Sequence, residues 1–509
     1  MKAVAKKIDV IAKDRMKYGL QVGVTEERQR GADEWRQTTS VVTEPVVYGR
    51  YIYKEQIVKF PLKHTTDKEE LSVYSIVGLG EYGKTTLAQL VYNNERVRNH
   101  FDLKIWIFVS DDFSMMKKWN KFKSLLQYET KGASILVTAR LDIVASIMAT
   151  YHAHRLTRLS DSDIWSLFKQ QAFRENREER AELVEIGKKL VRKCVGSTLA
   201  AKVLGSSLRF TSDEHQWISV LESEFWNLTE DDPIMSVLRL SYFNLKLSLR
   251  PCFTFCAVFP KDFEMVKENL IHLWMANGLV TSRGNLQMED VGNEVWNELY
   301  QRSFFQEVKS DFVGNITFKM HDFIHDLGQS FMGEECISYD VSKLTNFSIR
   351  VHHISLFDNK SKDDYMIPFQ KFDSLRTFLE YKPPSKNLNM LLSSTPLRAL
   401  HASFHQLSSL MSLIHLRYLE LNQSPITILP GSVCRLQKLQ TLKLERCHFL
   451  SSFPKQLIEL KDLRHLMIKN CHSLMSSPFK IGKFTCLKTW SIFIVDSKTG
   501  YGLAELCNL

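Results

Sequence analysis

The chain has 509 residues, of which 44% are hydrophobic and 24% charged, and a net charge of +10. These proportions exclude general disorder, and the length points to three or four domains, because single cores stop growing near about 250–300 residues. No apolar run reaches the roughly 18 residues of a membrane span; the greasiest, CFTFCAVF, covers 252–259. The basic residues form neither an arginine-rich block nor a basic helix interleaved with aromatics, which sets nucleic acid aside as a partner. The nine cysteines include no CxxC pair and are odd in number, so a disulfide framework is excluded and a reducing, cytoplasmic compartment is expected. Cys252 and Cys256, one helical turn apart in that apolar run, read as buried thiols rather than metal ligands.

Residues 1–35 mix charge with aliphatics at helical spacing and read as one amphipathic helix with a polar tail, a remnant of a helical bundle or coiled coil. A polar linker with Pro45 follows. Between 46 and 155 short apolar runs alternate with helical stretches, as in a parallel α/β sheet. The runs LSVYSIV (71–77), DLKIWIFV (102–109) and ASILVTA (133–139) lack alternation and suit strands covered on both faces. From 156 to 335 the apolar residues recur at helical spacing, as in DIWSLFKQQAF (163–173), ELVEIGKKLVRKC (182–194) and KENLIHLWMANGL (267–279). This stretch is expected to be mainly helical, in two subdomains.

The last third changes period. Leu416-x-x-Leu419-x-Leu421 recurs as Leu439/Leu442/Leu444, Leu463/Leu466/Ile468 and Leu487/Trp490/Ile492, in steps of 23, 24 and 24 residues, with looser copies from Leu375 and Leu397. That period and core define leucine-rich repeats, each supplying one short strand to a horseshoe. Leu429-Pro430 and Phe453-Pro454 would turn the chain round the convex side. No polar capping unit stands before Leu509, so the array reads as cut short.

The sharpest local signal is GLGEYGKTT at 78–86. Gly78-x4-Gly83-Lys84-Thr85 fits GxxxxGK[ST] with an apolar strand before it and a helix after it. Glycines let backbone amides approach phosphate oxygens, and the following helix offers its N-terminal amides and dipole. Lys84 would bridge the terminal phosphates of a nucleotide, and Thr85 would offer its hydroxyl to a magnesium ion. Hydrolysis also needs an acid on a neighbouring strand tip to hold the metal and polarise water. Asp111-Asp112 is the one candidate of that form, and it reads rather as a strand end with solvated acids. Arg140, after ASILVT, reads equally as a γ-phosphate sensor or as a surface charge.

These motifs resemble the plant nucleotide-binding leucine-rich-repeat immune receptors of the coiled-coil type, built on an NB-ARC module. The resemblance runs from about residue 20 to the end. It is carried by TEPVVYGR (43–50), GLGEYGKTTLAQLVY (78–92), FDLKIWIFVSDDF (101–113), GASILVTAR (132–140), LSDSDIWSLF (159–168), RLSYFNL (239–245), CFTFCAVFPKD (252–262), LWMANGL (273–279) and FKMHDFIHDL (318–327). It implies a multidomain fold: a helical remnant (1–40), an α/β P-loop nucleotide-binding domain (41–155), a helical subdomain (156–228), a winged-helix subdomain (229–335) and an α/β leucine-rich-repeat solenoid (336–509). It further implies ADP or ATP with Mg2+ as cofactors. Val47 and Arg50 would lie near adenine and ribose, and Gly78, Gly80, Gly83, Lys84, Thr85 and Thr86 would form the phosphate loop. Arg140 would be the sensor, and His321 of Met320-His321-Asp322 would touch the ADP β-phosphate.

The departures from the family pattern bear on activity. Only about twenty residues separate the FDLKIW and LVTAR segments, and the family's apolar strand ending in two aspartates is missing between them. Its metal-holding and catalytic acids, and with them a central strand, are therefore expected to be deleted; no catalytic residue is assigned, and a weak ATPase is the most expected. Gly196-Ser197-Thr198-Leu199 replaces the family's glycine-leucine-proline-leucine, and Glu81 sets a carboxylate in the phosphate loop. The resemblance implies an ADP/ATP-gated immune switch whose repeats provide autoinhibition and bind a pathogen effector or guarded host protein, with self-association as a further contact. The alternative is a degenerate, non-cycling receptor that serves as a scaffold or decoy.

Overall fold

The computed structural model describes residues 46–64, 72–78, 82–102, 104–108, 134–139, 142–173, 179–211, 213–227, 233–311, 314–338, 351–357, 373–381, 396–402 and 412–494, with Gln21, Val22, Ser40 and Trp119. The chain divides into two compact units, residues 1–245 with 301–307, and 246–300 with 308–509.

The first unit begins with α1 (Tyr51–His64). Strand β1 (Ser72–Val77), helices α2 (Lys84–Tyr92) and α3 (Glu95–His100), strand β2 (Ser134–Ala139), α4 (Asp142–Met148) and β3 (His154–Arg155) follow. The three strands form a parallel sheet in the order β2-β1-β3. Every residue of β1 except Tyr74 is buried, as a central parallel strand requires. Ile76, Leu87, Val91 and Leu156 pack on one face, and Val73 with Trp119 on the other.

Two expectations need correction here. The run 102–109 was expected as a strand of this sheet, yet among its described residues only Ile107–Phe108 forms a strand, and it pairs antiparallel with Gln21–Val22. An apolar run becomes a strand only where its backbone finds a ladder partner, and here the partner is a segment from the N-terminal region. That pairing also overturns a helix at Gln21–Val22; the rest of 1–35 lies outside the described residues. The expected loss of a central strand falls on residues outside the described ones. β1 keeps both neighbours, and it is the far edge of β2 that no strand covers among the described residues.

The helical part of the unit comprises α5 (Asp161–Ala172), α6 (Ala181–Lys193), α7 (Thr198–Leu208), α8 (Glu214–Leu221) and α9 (Pro233–Phe243). Helix α5 starts where Ser160 accepts the Asp163 amide, with Asp161 and Asp163 complementing the dipole. Phe168, Leu190, Leu204 and Trp217 form its fully buried core.

The second unit holds α10 (Arg250–Phe255), β4 (Met265–Val266), α11 (Lys267–Asn277), α12 (Met288–Gln301, all but its last residue), β5 (Gln306–Ser310, from Val308 on), β6 (Ile316–Lys319) and α13 (Asp322–Met332). β4, β6 and β5 form a small sheet in that order. Cys252 and Cys256 are buried free thiols; burial pushes Cys252 up to about 12. Eight parallel strands then stack in register: β7 (Cys336–Ser338), β8 (His353–Leu356), β9 (Thr377–Glu380), β10 (Ala399–Ala402), β11 (Tyr418–Asn422), β12 (Thr441–Glu445), β13 (His465–Lys469) and β14 (Thr489–Trp490). The repeat leucines 416, 419, 421, 439, 442, 444, 463 and 466 are fully buried. Gln423, Arg446 and Asn470 end three successive strands with φ of 53°, 54° and 56°, one left-handed turn per repeat. Ile492, expected in the core, is instead 38% exposed.

Helix α11 lies against β10 and β11. Its last carbonyl, Asn277 O, accepts from Arg398 (2.8 Å), and the Asn277 side chain accepts from Thr377 (3.0 Å). Glu289 of α12 accepts two bonds from Arg464 (2.6 and 2.8 Å) and one from His465 (2.9 Å). Within the array, buried Glu420 takes hydrogen bonds from Lys443 (2.7 Å) and the Tyr418 hydroxyl, while Glu445 stands 3.6 Å from Lys443. Burial pushes the Glu420 carboxyl up, but Lys443 and His401 outweigh it and hold it at about 2. A carboxyl so depressed contributes its full stability above the unfolded value, and that contribution is lost as pH falls toward about 2. Glu420→Gln is therefore expected to cost the repeat half about 3 kcal/mol at pH 7, because a buried ammonium loses its nearest counter-charge. Urea unfolding should show that gap closing as pH drops below about 4.5.

Candidate functional site

The candidate site grows from the C-terminal end of β1. Gly78 follows that strand, and its amide donates to Ala139 O at 3.3 Å, fastening the loop's start to β2. A side chain at Gly78 would meet Leu156 O at 3.2 Å and the Tyr82 ring at 3.3 Å. The loop ends at Gly83, whose φ of 77° turns the chain into α2. No side chain caps that helix, so the amides of Thr85 and Thr86, which have no acceptor within the helix, face outward for an anion. A Cβ on Gly83 would meet none of the described residues within 4 Å, so among them the space beside it is open. Lys84, Thr85 and Thr86 are half-buried at the mouth of this opening.

Arg50, only 4% exposed, reaches the loop from the start of α1. One of its nitrogens, Nη2, donates to Tyr82 O and to Thr157 O, both at 2.9 Å. Burial lowers the guanidinium pKa, and Tyr53 and Asp163 push it back up; at any neutral pH it stays charged. The Tyr53 ring lies 5.5 Å beneath it, and the Tyr53 hydroxyl shares a 2.9 Å hydrogen bond with Thr157 Oγ1. Burial and then Arg50 lower the pKa of His154. Arg158 Nε donates to the Tyr82 hydroxyl at 3.0 Å. The Arg158 Cβ stands where a side chain on Gly196 would come within 2.9 Å. Gly196 precedes Ser197, which caps α7, so Thr198 occupies the first helical position, where proline is favoured and not required.

Val47 is half-buried, and Arg50, Gly78, Gly83, Lys84, Thr85 and Thr86 gather around the end of β1. Gly80, Arg140, Asp111 and Asp112 lie outside the described residues. His321 belongs to the second unit, where its Nδ1 accepts the Phe323 amide (3.3 Å) and caps α13. Tyr53, Tyr82, Thr157, Arg158 and Asp163 escaped the sequence reading. For Thr157, Arg158 and Asp163 the only signal is the position of TRLSDSD directly after β3, which acquires meaning from the register Val77↔Arg155 that sets that segment beside the loop; Tyr82 lies inside the glycine motif itself, and Tyr53 sits on α1. Among the described residues no group of three or more His, Cys, Asp or Glu side chains could hold a metal ion, and no helix is long and apolar enough to cross a membrane.

With this geometry in hand, the comparisons are consistent along the chain. Residues 54–118 and 111–178 match the NB-ARC domain, 258–328 the disease resistance protein winged helix domain, and 362–509 a leucine-rich repeat region. The putative disease resistance protein RGA4 of Solanum bulbocastanum is 41% identical over 562 aligned residues, covering 100% of this chain and 54% of that protein. Disease resistance protein RGA2 of the same plant is 40% identical over 561, covering 100% and 55%. The chain belongs to the family of plant NB-ARC leucine-rich-repeat disease-resistance proteins, and it spans about half the length of the curated relatives it matches. A solved Signal Transduction ATPase with Numerous Domains from Pyrococcus horikoshii overlaps more loosely. Its TM-score is 0.34 at 12% identity, over 57% of this chain and 44% of that one.

Two glycines with positive φ separate conformational strain from crowding. Gly83→Ala meets open space and should cost about 1–2 kcal/mol through φ alone. Gly49 has φ 65°, and a Cβ there would fall 2.6 Å from Asp163 Oδ2 and Leu159 Cδ2. Gly49→Ala should add an overpacking cost of about 1–3 kcal/mol, read as the larger fall in thermal midpoint of the two variants.

Proposed function

We propose that this chain is the ADP/ATP-holding switch of an intracellular plant immune receptor. Its leucine-rich repeats would restrain the switch and recognise a pathogen effector or a guarded host protein, in defence. The observation that carries the reading is the loop from Gly78 to Thr86, which leads from a doubly paired strand into a helix uncapped by any side chain. The residues present fit a nucleotide's phosphates: glycine backbone at the approach, open space at Gly83, and Lys84 and Thr85 at the helix start. Lys84 would hold the terminal phosphates and Thr85 the Mg2+, which supplies charge neutralisation when bound. Val47 would border the adenine, Arg140 would sense the γ-phosphate, and His321 would read the β-phosphate from the winged-helix part. Such a switch works by differential affinity for two states and needs no fast turnover.

A second reading, a receptor that holds nucleotide but does not cycle, is favoured by one specific observation. The NB-ARC match comes in two pieces that meet at 111–118, where the sequence lacks the family's acidic strand. Both readings expect bound nucleotide and differ in turnover. Protein purified without added nucleotide and then denatured should release about one ADP per chain, and Lys84→Ala should release little. Release from neither protein would contradict both readings, and sustained ATP turnover by the wild type would dismiss the second.

A further inference from the structure

We infer that Arg50 is a positioning residue for the phosphate loop, gripping the Tyr82 carbonyl while Arg158 grips the Tyr82 hydroxyl. The inference rests on the nucleotide reading above and names what sets the loop's shape. In a trans peptide the carbonyl and the following amide hydrogen point in opposite directions. With the Tyr82 carbonyl turned toward Arg50 Nη2, the Gly83 amide is directed to the opposite face of the loop. The positive φ of Gly83 then leads the chain into the first turn of α2. Arg50 therefore orients the peptide at which the amide cradle begins.

The anchor is firm because of where it sits. Arg50 is almost wholly buried, and the same nitrogen also holds Thr157 O, in the segment leaving β3. That segment is itself fixed by the Leu156 amide donating to Val77 O at 2.7 Å. Gly49, with no room for a Cβ against Asp163 and Leu159, lets Arg50 enter at this point. The second grip depends on the hydroxyl of Tyr82: Arg158 Nε donates to it at 3.0 Å, a bond no aliphatic side chain at this position could accept. Arg158 also packs by its Cβ on Gly196, at the entry to α7. The loop is thus tied both to β3 and to the helical part of the same unit.

The test combines hydrogen exchange at the hydrogen-bonded amides that bracket the loop, Gly78 (to Ala139 O) and Leu87 (to Gly83 O), in the nucleotide-free full chain with titration by ADP. Arg50→Met should speed exchange at these amides and weaken ADP binding, each about tenfold, as expected for losing a charge-assisted bond. Arg50→Lys, which also offers one nitrogen to two carbonyls, should restore most of both. Tyr82→Phe keeps the ring and loses the hydroxyl, and should shift both by about threefold. Weaker ADP binding by Arg50→Met with unchanged exchange would make Arg50 a direct nucleotide contact and overturn the inference. If the wild type binds no ADP, the nucleotide reading fails by itself. The exchange comparison still decides the grip: faster exchange in Arg50→Met supports it and unchanged exchange overturns it. Should Arg50→Met not fold, unchanged exchange in Tyr82→Phe overturns the two-ended grip, and a threefold rise supports it.

Discussion

The parallel pairing of Ser72–Val77 with a strand on each side is the constraint on which the nucleotide-binding half depends. Six registered pairs to Ser134–Ala139 and two to His154–Arg155 hold the strand rigid up to Val77, so the loop that follows departs from a fixed point. Because the ladder continues as the Leu156 amide on Val77 O, the chain leaving the third strand is delivered to the loop's flank. A phosphate loop on a frayed strand would have no fixed direction; on this one, its two ends and its Tyr82 midpoint are all anchored.

That arrangement is what would let the cradle survive the loss of the family's acidic strand. The loop-bearing strand keeps a partner on each side, Ser134–Ala139 and His154–Arg155. Under the proposed reading, what the acidic strand's loss would remove is chemistry: the acids that would hold magnesium and polarise water. The second unit shows the same economy of means in its repeats, where one buried leucine core recurs along eight strands and buried ion pairs such as Lys443–Glu420 occupy the side-chain positions between the leucines.

Much of this was legible from residue order alone. The strand at 71–77 and its glycine loop, the helices over 161–172, 181–193 and 267–277, and the repeats from Leu375 onward all follow from local periodicity and motif. The strands at Cys336–Ser338 and His353–Leu356 escaped, although Val351-x-x-Ile354-x-Leu356 carries the repeat core with Val and Ile in place of Leu. The run 102–109 misled because apolar content speaks for burial and is silent about which backbone will pair with it. At the site, the loop residues were readable because a contiguous motif encodes them. Thr157, Arg158 and Tyr53 were not, because only the pairing of Val77 with Arg155 brings them to the loop. Arg50 was found by resemblance as a neighbour of the nucleotide, and its hydrogen bonds to Tyr82 O and Thr157 O were not readable from the sequence.

The central claim is that an anchored loop on a doubly paired strand suffices to hold a nucleotide when the acidic strand is missing. Calorimetric titration of the full chain with ADP, with and without Mg2+, tests it most directly. Saturable one-site binding whose affinity changes less than about tenfold on removing the metal is expected, since Thr85 is the one residue this reading assigns to the metal. No binding in either condition, by protein that is folded, would contradict the claim.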